Sequence, residues 1–308
     1  MILGLVFWGQ IVLQAPLAQA RISAETWSFE GMPAENDVAR WEALKGKRTY
    51  HLKLFSLNSQ EAQTLTRLAP TAAAFQLEFE VLPEEVSVYT AFRKLVAAGV
   101  PVDFIGEFKS LPTSERWDDL RNVGFRSFRF VLDHYPYPFE PVILNAFRPE
   151  QVTVIFQTKA YPKYVEKDSI AAIASGVTLE FHQDYWPLYP QVDTLKLIAN
   201  PKVIRVRDMV PAEPTFSYLK TMTSLRELVA DAMFFPAESS FWNQFGSMPL
   251  NWVQRDPQFD EQAIRAFEAS AGSGPRRVRL ERDEVPSADE MALFRHSRLD
   301  VELWVPAP

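Results

Sequence analysis

Apolar and polar residues alternate with a period of two in short stretches spread along the whole chain. In VTLEFHQDYWP (177–187), Val177, Leu179 and Phe181 alternate with Thr178, Glu180 and His182, which gives an extended segment one apolar and one polar face. A polar pair, an aromatic pair and a proline follow. The proline cannot donate to a strand ladder, so it ends the strand. The unit recurs as TWSFE (26–30), TYHLKLFSL (49–57), FQLEFEV (75–81), VDFIGEF (102–108), FRFVLDH (128–134), VTVIFQTK (152–159), VIRVRD (203–208), LRELVADA (225–232), NWVQ (251–254), RVRLERD (277–283) and DVELWV (300–305). Prolines from Pro33 to Pro306 follow these strands at a mean interval of about 25 residues, a period typical of repeat architectures.

After the proline, several units change to helical spacing. PAENDVARWEAL (33–44), PEEVSVYTAFRKL (83–95), PTSERWDDL (112–120), PQFDEQAIRAF (257–267) and PSADEMALF (286–294) open with acidic residues, which suit the positive end of a helix. Asn58 is placed to cap a helix in the one unit that lacks its proline, and Gly99 and Gly176 are placed to end helices in the left-handed conformation. Parallel strands joined by right-handed helical crossovers either close as a barrel or stack as a solenoid. Twelve units exceed the eight strands of the common barrel. The strand face turned from the helices carries Lys53, Glu78, Glu80, Asp103, Arg129, Glu180 and Arg205, and burying each unpaired would cost several kcal/mol. The pattern therefore predicts an α/β open solenoid of about twelve strand-helix units of about 25 residues, with a (βα)8 barrel carrying a C-terminal extension as the alternative.

The stretch FSYLKTMTSLRELVADAMFFP (216–236), with Leu219, Met222, Leu225 and Leu228, resembles the leucine-rich-repeat family in its spacing. The resemblance implies an open horseshoe. The family's turn asparagine is missing: three residues before the proline stand Glu30, Glu80, Lys109, Asp133, Lys159, Asp184, Asp208 and Asp283, and Phe, Val and Tyr replace much of the Leu.

Composition narrows the function. With 308 residues, 47% of them hydrophobic, the chain has material for a large core. A net charge of −7 without a Lys/Arg cluster excludes a phosphate-backbone binder, so no nucleic-acid partner is expected. The absence of cysteine excludes disulfides, thiolate metal sites and a Cys nucleophile. Residues 1–20, MILGLVFWGQIVLQAPLAQA, are uncharged, largely apolar and end in Ala18-Gln19-Ala20, as a secretory signal peptide does. The expected organisation is a signal peptide (1–20) and one α/β repeat domain (21–308), periplasmic or extracellular, with no membrane contact beyond the leader.

Candidate chemistry collects where the strands end. Asp133, His134, Tyr137, Lys159, Tyr164, His182, Asp184 and Tyr189 mark a binding surface for a protein or glycan, because tyrosines among charges make anchors for protein partners and platforms for sugar rings. In the alternative reading, a barrel hydrolase acting on polysaccharide, Glu107, Asp133 and Asp184 supply the acid and base. Asp133, His134, His182 and Asp184 have the chemistry of metal ligands but no ligand spacing. No G-x-S-x-G, H-E-x-x-H, G-x-x-x-x-G-K-[ST] or G-x-G-x-x-G occurs, so neither metal nor cofactor is expected.

Overall fold

The computed structural model describes residues 22–43, 46–199, 201–207, 215–232, 237–254, 261–270, 276–281, 286–294, 297 and 299–306. The expected leader lies outside the described residues. Twelve strands form where the alternation places them: β1 (Ile22–Glu30), β2 (Arg48–Leu54), β3 (Ala72–Phe79), β4 (Val102–Phe108), β5 (Ser127–Leu132), β6 (Val152–Phe156), β7 (Thr178–Gln183), β8 (Val203–Arg207), β9 (Glu227–Ala232), β10 (Leu250–Gln254), β11 (Arg276–Glu281) and β12 (Asp300–Pro306). Each pairs in parallel with its neighbours in sequence. β1 also pairs with β12, Thr26 opposite Trp304 and Trp27 opposite Val305, so the sheet is a closed ring.

Closure overturns the open solenoid and, with it, the leucine-rich-repeat resemblance. Of the residues that carried that resemblance, Leu219 ends the helix Thr215–Leu219, Met222 and Leu225 lie in the following turn, and only Leu228 is on a strand. The eight-stranded alternative has the right closure and the wrong count, since every strand to β12 belongs to one ring. The expectation of an open sheet rested on the cost of enclosing a charged face. The ring avoids that cost by pairing the charges and by its width. Following Cα partners from Trp27 through Tyr50, Phe75 and Val102 around the sheet and back through Val305 lowers the register on β1 by twelve residues. Shear therefore equals strand number, as in the eight-stranded barrel, and implies the same tilt of about 36°. With strands about 4.8 Å apart the backbone stands about 11 Å from the axis, against about 8 Å for eight strands. Twelve strands therefore enclose a wider interior, called the lumen below, whose side chains include charged and polar groups.

The hydrophobic core is a shell between sheet and helices. Outward residues such as Tyr50, Phe75, Phe79, Phe104, Phe130, Phe156, Phe181 and Trp252 are fully buried. They meet helix residues including Trp41 from α1 (Glu35–Glu42), Leu65 from α2 (Ser59–Leu68), Phe92 from α3 (Val86–Ala97) and Trp117 from α4 (Arg116–Arg121). Phe104 sits against Phe79, Phe125, Phe128 and Phe130 at centroid separations of 5.5 to 6.3 Å. Gly106 stands beside it, where an added Cβ would run into the Phe108 ring and force it to shift. The expected caps form: Asn58 Oδ1 accepts from the amides of Gln60 and Glu61 while Glu61 accepts from the Asn58 amide. Gly99 ends α3 at φ +78°, and Gly176 has φ +105°.

Two measurements check this architecture. Phe104→Ala is expected to lower the free energy of unfolding by about 3–5 kcal/mol in urea titration, the range for removing a fully packed phenylalanine. Small-angle scattering is expected to give a radius of gyration near the ~19 Å of a compact chain of this length; a clearly larger value would restore the horseshoe.

Candidate functional site

Because shear equals strand number, inward side chains stack in layers contributed by alternate strands, as they do in the eight-stranded barrel. The register puts His51, Ile105, Ile155, Arg205, Val253 and Trp304 in a middle layer. Ser28, Glu78, Val131, His182 and Glu281 lie in the layer toward the C-terminal ends of the strands, here the upper mouth. Lys53, Glu107, Gln157 and Arg207 follow at the rim. Below the middle layer come Thr26, Gln76, Arg129, Glu180, Val229 and Arg279. The ring contact between His51 and Trp304, 5.1 Å across two strands separated by β1, is the contact this layering requires.

The lumen charges are paired, often past an intervening strand. Arg129 on β5 reaches Glu180 on β7 at 3.3 Å, and Arg205 on β8 approaches Glu281 on β11 at 3.9 Å. Arg279 binds Glu302 at 3.0 Å and lies over the Trp304 ring. His182 Nε2 meets Glu180 Oε2 at 3.1 Å. Burial alone would raise the Glu180 carboxyl. The His182 hydrogen bond and the charges of Arg129, His182 and Arg205 outweigh it, so the group is held below the ordinary carboxylate range. Burial pushes His182 below the usual imidazole value against the pull of Glu180, and Arg205 and Arg129 push the same way.

At the upper mouth, on the β2–β5 side, a cavity of about 600 Å³ is walled by Phe55, Val81, Phe108 and Val131 and edged by Glu80, Glu107, Lys109, Asp133 and Gln157. Two carboxyls share a hydrogen bond beneath it. Glu78 is held below its usual value: burial opposes this, but a hydrogen bond and charge from His51, the Lys53 ammonium and the Glu107 hydrogen bond prevail. Glu107 is raised, by burial first and then by the hydrogen bond and charge of Glu78. Their surroundings thus push the two carboxyls in opposite directions, a split of the kind that separates acid from base. Register places Glu107 beside Val131, so the Cα of Asp133, two residues further on, is about 8 Å away.

The binding residues named from sequence are divided among three places. Asp133 reaches the cavity while its Oδ1 is 3.0 Å from His134 Nδ1. His134 Nε2 lies 3.0 Å from Glu140, a fully buried carboxylate that also accepts from the amides of Leu111 and Tyr137. Tyr137 stacks on His134 at 4.5 Å. His182 and Asp184 line a smaller recess with Gln157, Arg205 and Arg207; Gln157 belongs to both recesses. Lys159 is exposed, and Tyr164 and Tyr189 stand out at 66% and 54% exposure, whereas Trp186 is buried. Among the three carboxylates named for hydrolysis, the structure brings Glu107 and Asp133 together and sets Asp184 in the neighbouring recess. Among the described residues no group of three or more potential ligands is arranged for a metal ion, and no helix is long and apolar enough to cross a membrane. Sequence reasoning missed Ser28 and the pairing roles of His51 and Glu78. Their common parity on three adjacent strands was the available signal.

Fold and site together define a closed, all-parallel α/β barrel with a charged lumen and an acidic, aromatic-edged mouth. Comparison with protein-family models, curated proteins and solved structures finds no match to this chain.

The lumen sets the acid response. Glu180 and Glu78 have folded values below their unfolded ones, so they contribute stability above about pH 4.3 that is lost as pH falls through the folded values. His182, also depressed, contributes stability above about pH 6.5 that is lost below it. Melting temperature is expected to fall on acidification from about pH 6.5, and His182→Gln to remove the upper part of that fall while sparing the part below about pH 5. A variant with the wild-type profile in thermal melts would refute the assignment.

Proposed function

We propose that the upper mouth binds a glycan. The observation that supports this most is a single cavity in which apolar walls (Phe55, Val81, Phe108) face carboxyl and amide edges (Glu80, Glu107, Asp133, Gln157). Sugar rings present the matching surfaces, apolar C–H faces and hydroxyl rims. Tyr137 stacks on His134 beside Asp133 and is exposed there, and Tyr164 and Tyr189 are exposed after the next two strands, where in this reading only a longer chain would reach them.

Hydrolysis of the bound polysaccharide is the second reading, and the split Glu78–Glu107 pair supports it. Burial and the neighbouring Glu78 raise the Glu107 carboxyl, the direction a general acid requires, and Asp133 edges the same cavity as a second carboxyl for the base or nucleophile. His134, fixed by Glu140, orients the Asp133 carboxylate. Substrate would enter from above with its leaving-group oxygen toward Glu107 and its anomeric carbon toward Asp133.

Calorimetric titration with oligosaccharides of defined linkage tests the first reading. Asp133→Asn and Tyr137→Ala are each expected to weaken binding about 10-fold or more, a loss of about 1.4 kcal/mol. Tyr164→Ala and Tyr189→Ala are expected to weaken it less and only for longer chains. Equal affinity in all four variants would remove the mouth as the site. For hydrolysis, Glu107→Gln is expected to lower kcat by about 100-fold or more and abolish the alkaline limb of its pH profile. Turnover that survives both Glu107→Gln and Asp133→Asn would discard these carboxyls.

A further inference from the structure

One polar chain in the lumen, Ser28–His51–Glu78, shares only Glu78 with the reading above. Ser28 and His51 are register partners on β1 and β2, both facing inward, and Glu78 lies diagonally opposite on β3. Ser28 Oγ is 2.9 Å from His51 Nδ1, and His51 Nε2 is 2.8 Å from Glu78 Oε2. His51 is only 4% exposed, and the Trp304 ring packs against it. Ser28 remains half-buried, one layer below the Lys53–Glu107 rim.

The proton positions follow from the partners. A carboxylate can only accept, so Glu78 requires the imidazole proton on Nε2. Nδ1 then carries the free lone pair, and the Ser28 hydroxyl must donate to it. A serine whose hydroxyl donates to a histidine that is in turn oriented by a carboxylate is the arrangement that activates serine as a nucleophile. Here the two ring nitrogens exchange their customary places.

We infer that Ser28 is a nucleophile toward acyl esters, with His51 as its base and Glu78 as the positioning residue that fixes the His51 tautomer. Ser28 Oγ bonds to the ester carbonyl carbon as its proton passes to His51 Nδ1. The C–O bond to the alcohol then breaks, and the departing oxygen takes that proton. Water, giving a proton to the same nitrogen, attacks the acyl-serine; the acid leaves and Ser28 regains its proton. Lys53, two residues beyond His51 on the same face of β2 and paired with the exposed Glu30 at 3.3 Å, is the cation this proposal assigns to the negative charge developing on the carbonyl oxygen.

A fluorophosphonate probe tests this without any assumption about glycans. Ser28 Oγ displaces fluoride from phosphorus, and the adduct is located by peptide mass spectrometry. A single adduct on the Ser28 peptide is expected, absent in Ser28→Ala and formed about 100-fold more slowly or worse in His51→Ala. In Glu78→Gln the slower labelling is expected together with a change in the His51 ¹⁵N shifts, which a purely structural role would leave alone. Because the chain has no cysteine, Ser28→Cys gives a second readout with a unique thiol. Its alkylation by iodoacetamide is expected to slow about 10-fold when His51→Ala is added. Circular dichroism confirms folding of each variant, and the Ser28→Cys pair decides the matter where another variant fails to fold. Wild-type protein that is unlabelled, labelled only at other serines, or labelled equally fast with His51→Ala overturns the inference. Loss of glycan binding with intact labelling would instead refute the mouth reading alone.

Discussion

The ladder between β1 and β12 is the constraint on which the other features of the molecule depend. It converts a row of charged side chains from a solvated face into the lining of a lumen, where each must find a partner. Some of those partners lie on non-neighbouring strands: Arg129 and Glu180 are separated by β6, and Arg205 and Glu281 by β9 and β10. The curvature of the sheet brings such groups within reach. Width is the second consequence of twelve strands. At about 11 Å from axis to backbone the interior is wider than that of an eight-stranded barrel, and its middle layer mixes branched apolar residues (Ile105, Ile155, Val253) with His51, Arg205 and Trp304 where the eight-stranded barrel has mostly branched apolar ones.

The enclosed charges do not share one electrostatic environment. Glu180 and Glu78 are both withdrawn from water, yet each remains a carboxylate because a histidine hydrogen bond and nearby cations exceed the cost of burial. Glu107 and Glu227 are raised, since burial comes first in both and a second carboxylate lies close: Glu78 for one, Glu180 for the other. The lumen therefore holds carboxyls pushed down and carboxyls pushed up over short distances, which follows from packing a dense charged row onto few strands.

The two-residue alternation was sufficient to locate all twelve strands, because a strand with one face under a helix must bury every second residue. VDFIGEF matches Val102–Phe108 at both ends. Prolines and capping residues carried the punctuation for the same local reason, as Asn58 and Gly99 show. Closure was not legible. It depends on the summed register around the ring, and no local pattern reports the pairing of Thr26 with Trp304. The charge on the inner face even argued against it, since the sequence shows charges but not the cross-lumen pairs that satisfy them. The same gap explains the site. Glu107 and Asp133 stand at neighbouring strand ends and were recognisable as rim residues. Ser28 is an ordinary serine in TWSFE until β2 and β3 are laid beside it in register.

Glu78 ties the two functional regions together. Its oxygen accepts from His51, and its carboxylate shares a hydrogen bond with Glu107. In the proposed relay that carboxylate holds His51 in the tautomer that leaves Nδ1 open to Ser28. Glu107, raised by burial and by Glu78, acts on the same carboxylate from the mouth side. β2, β3 and β4 are consecutive rungs of a closed ring, so the side chains that link the mouth to Ser28 are held on one sheet.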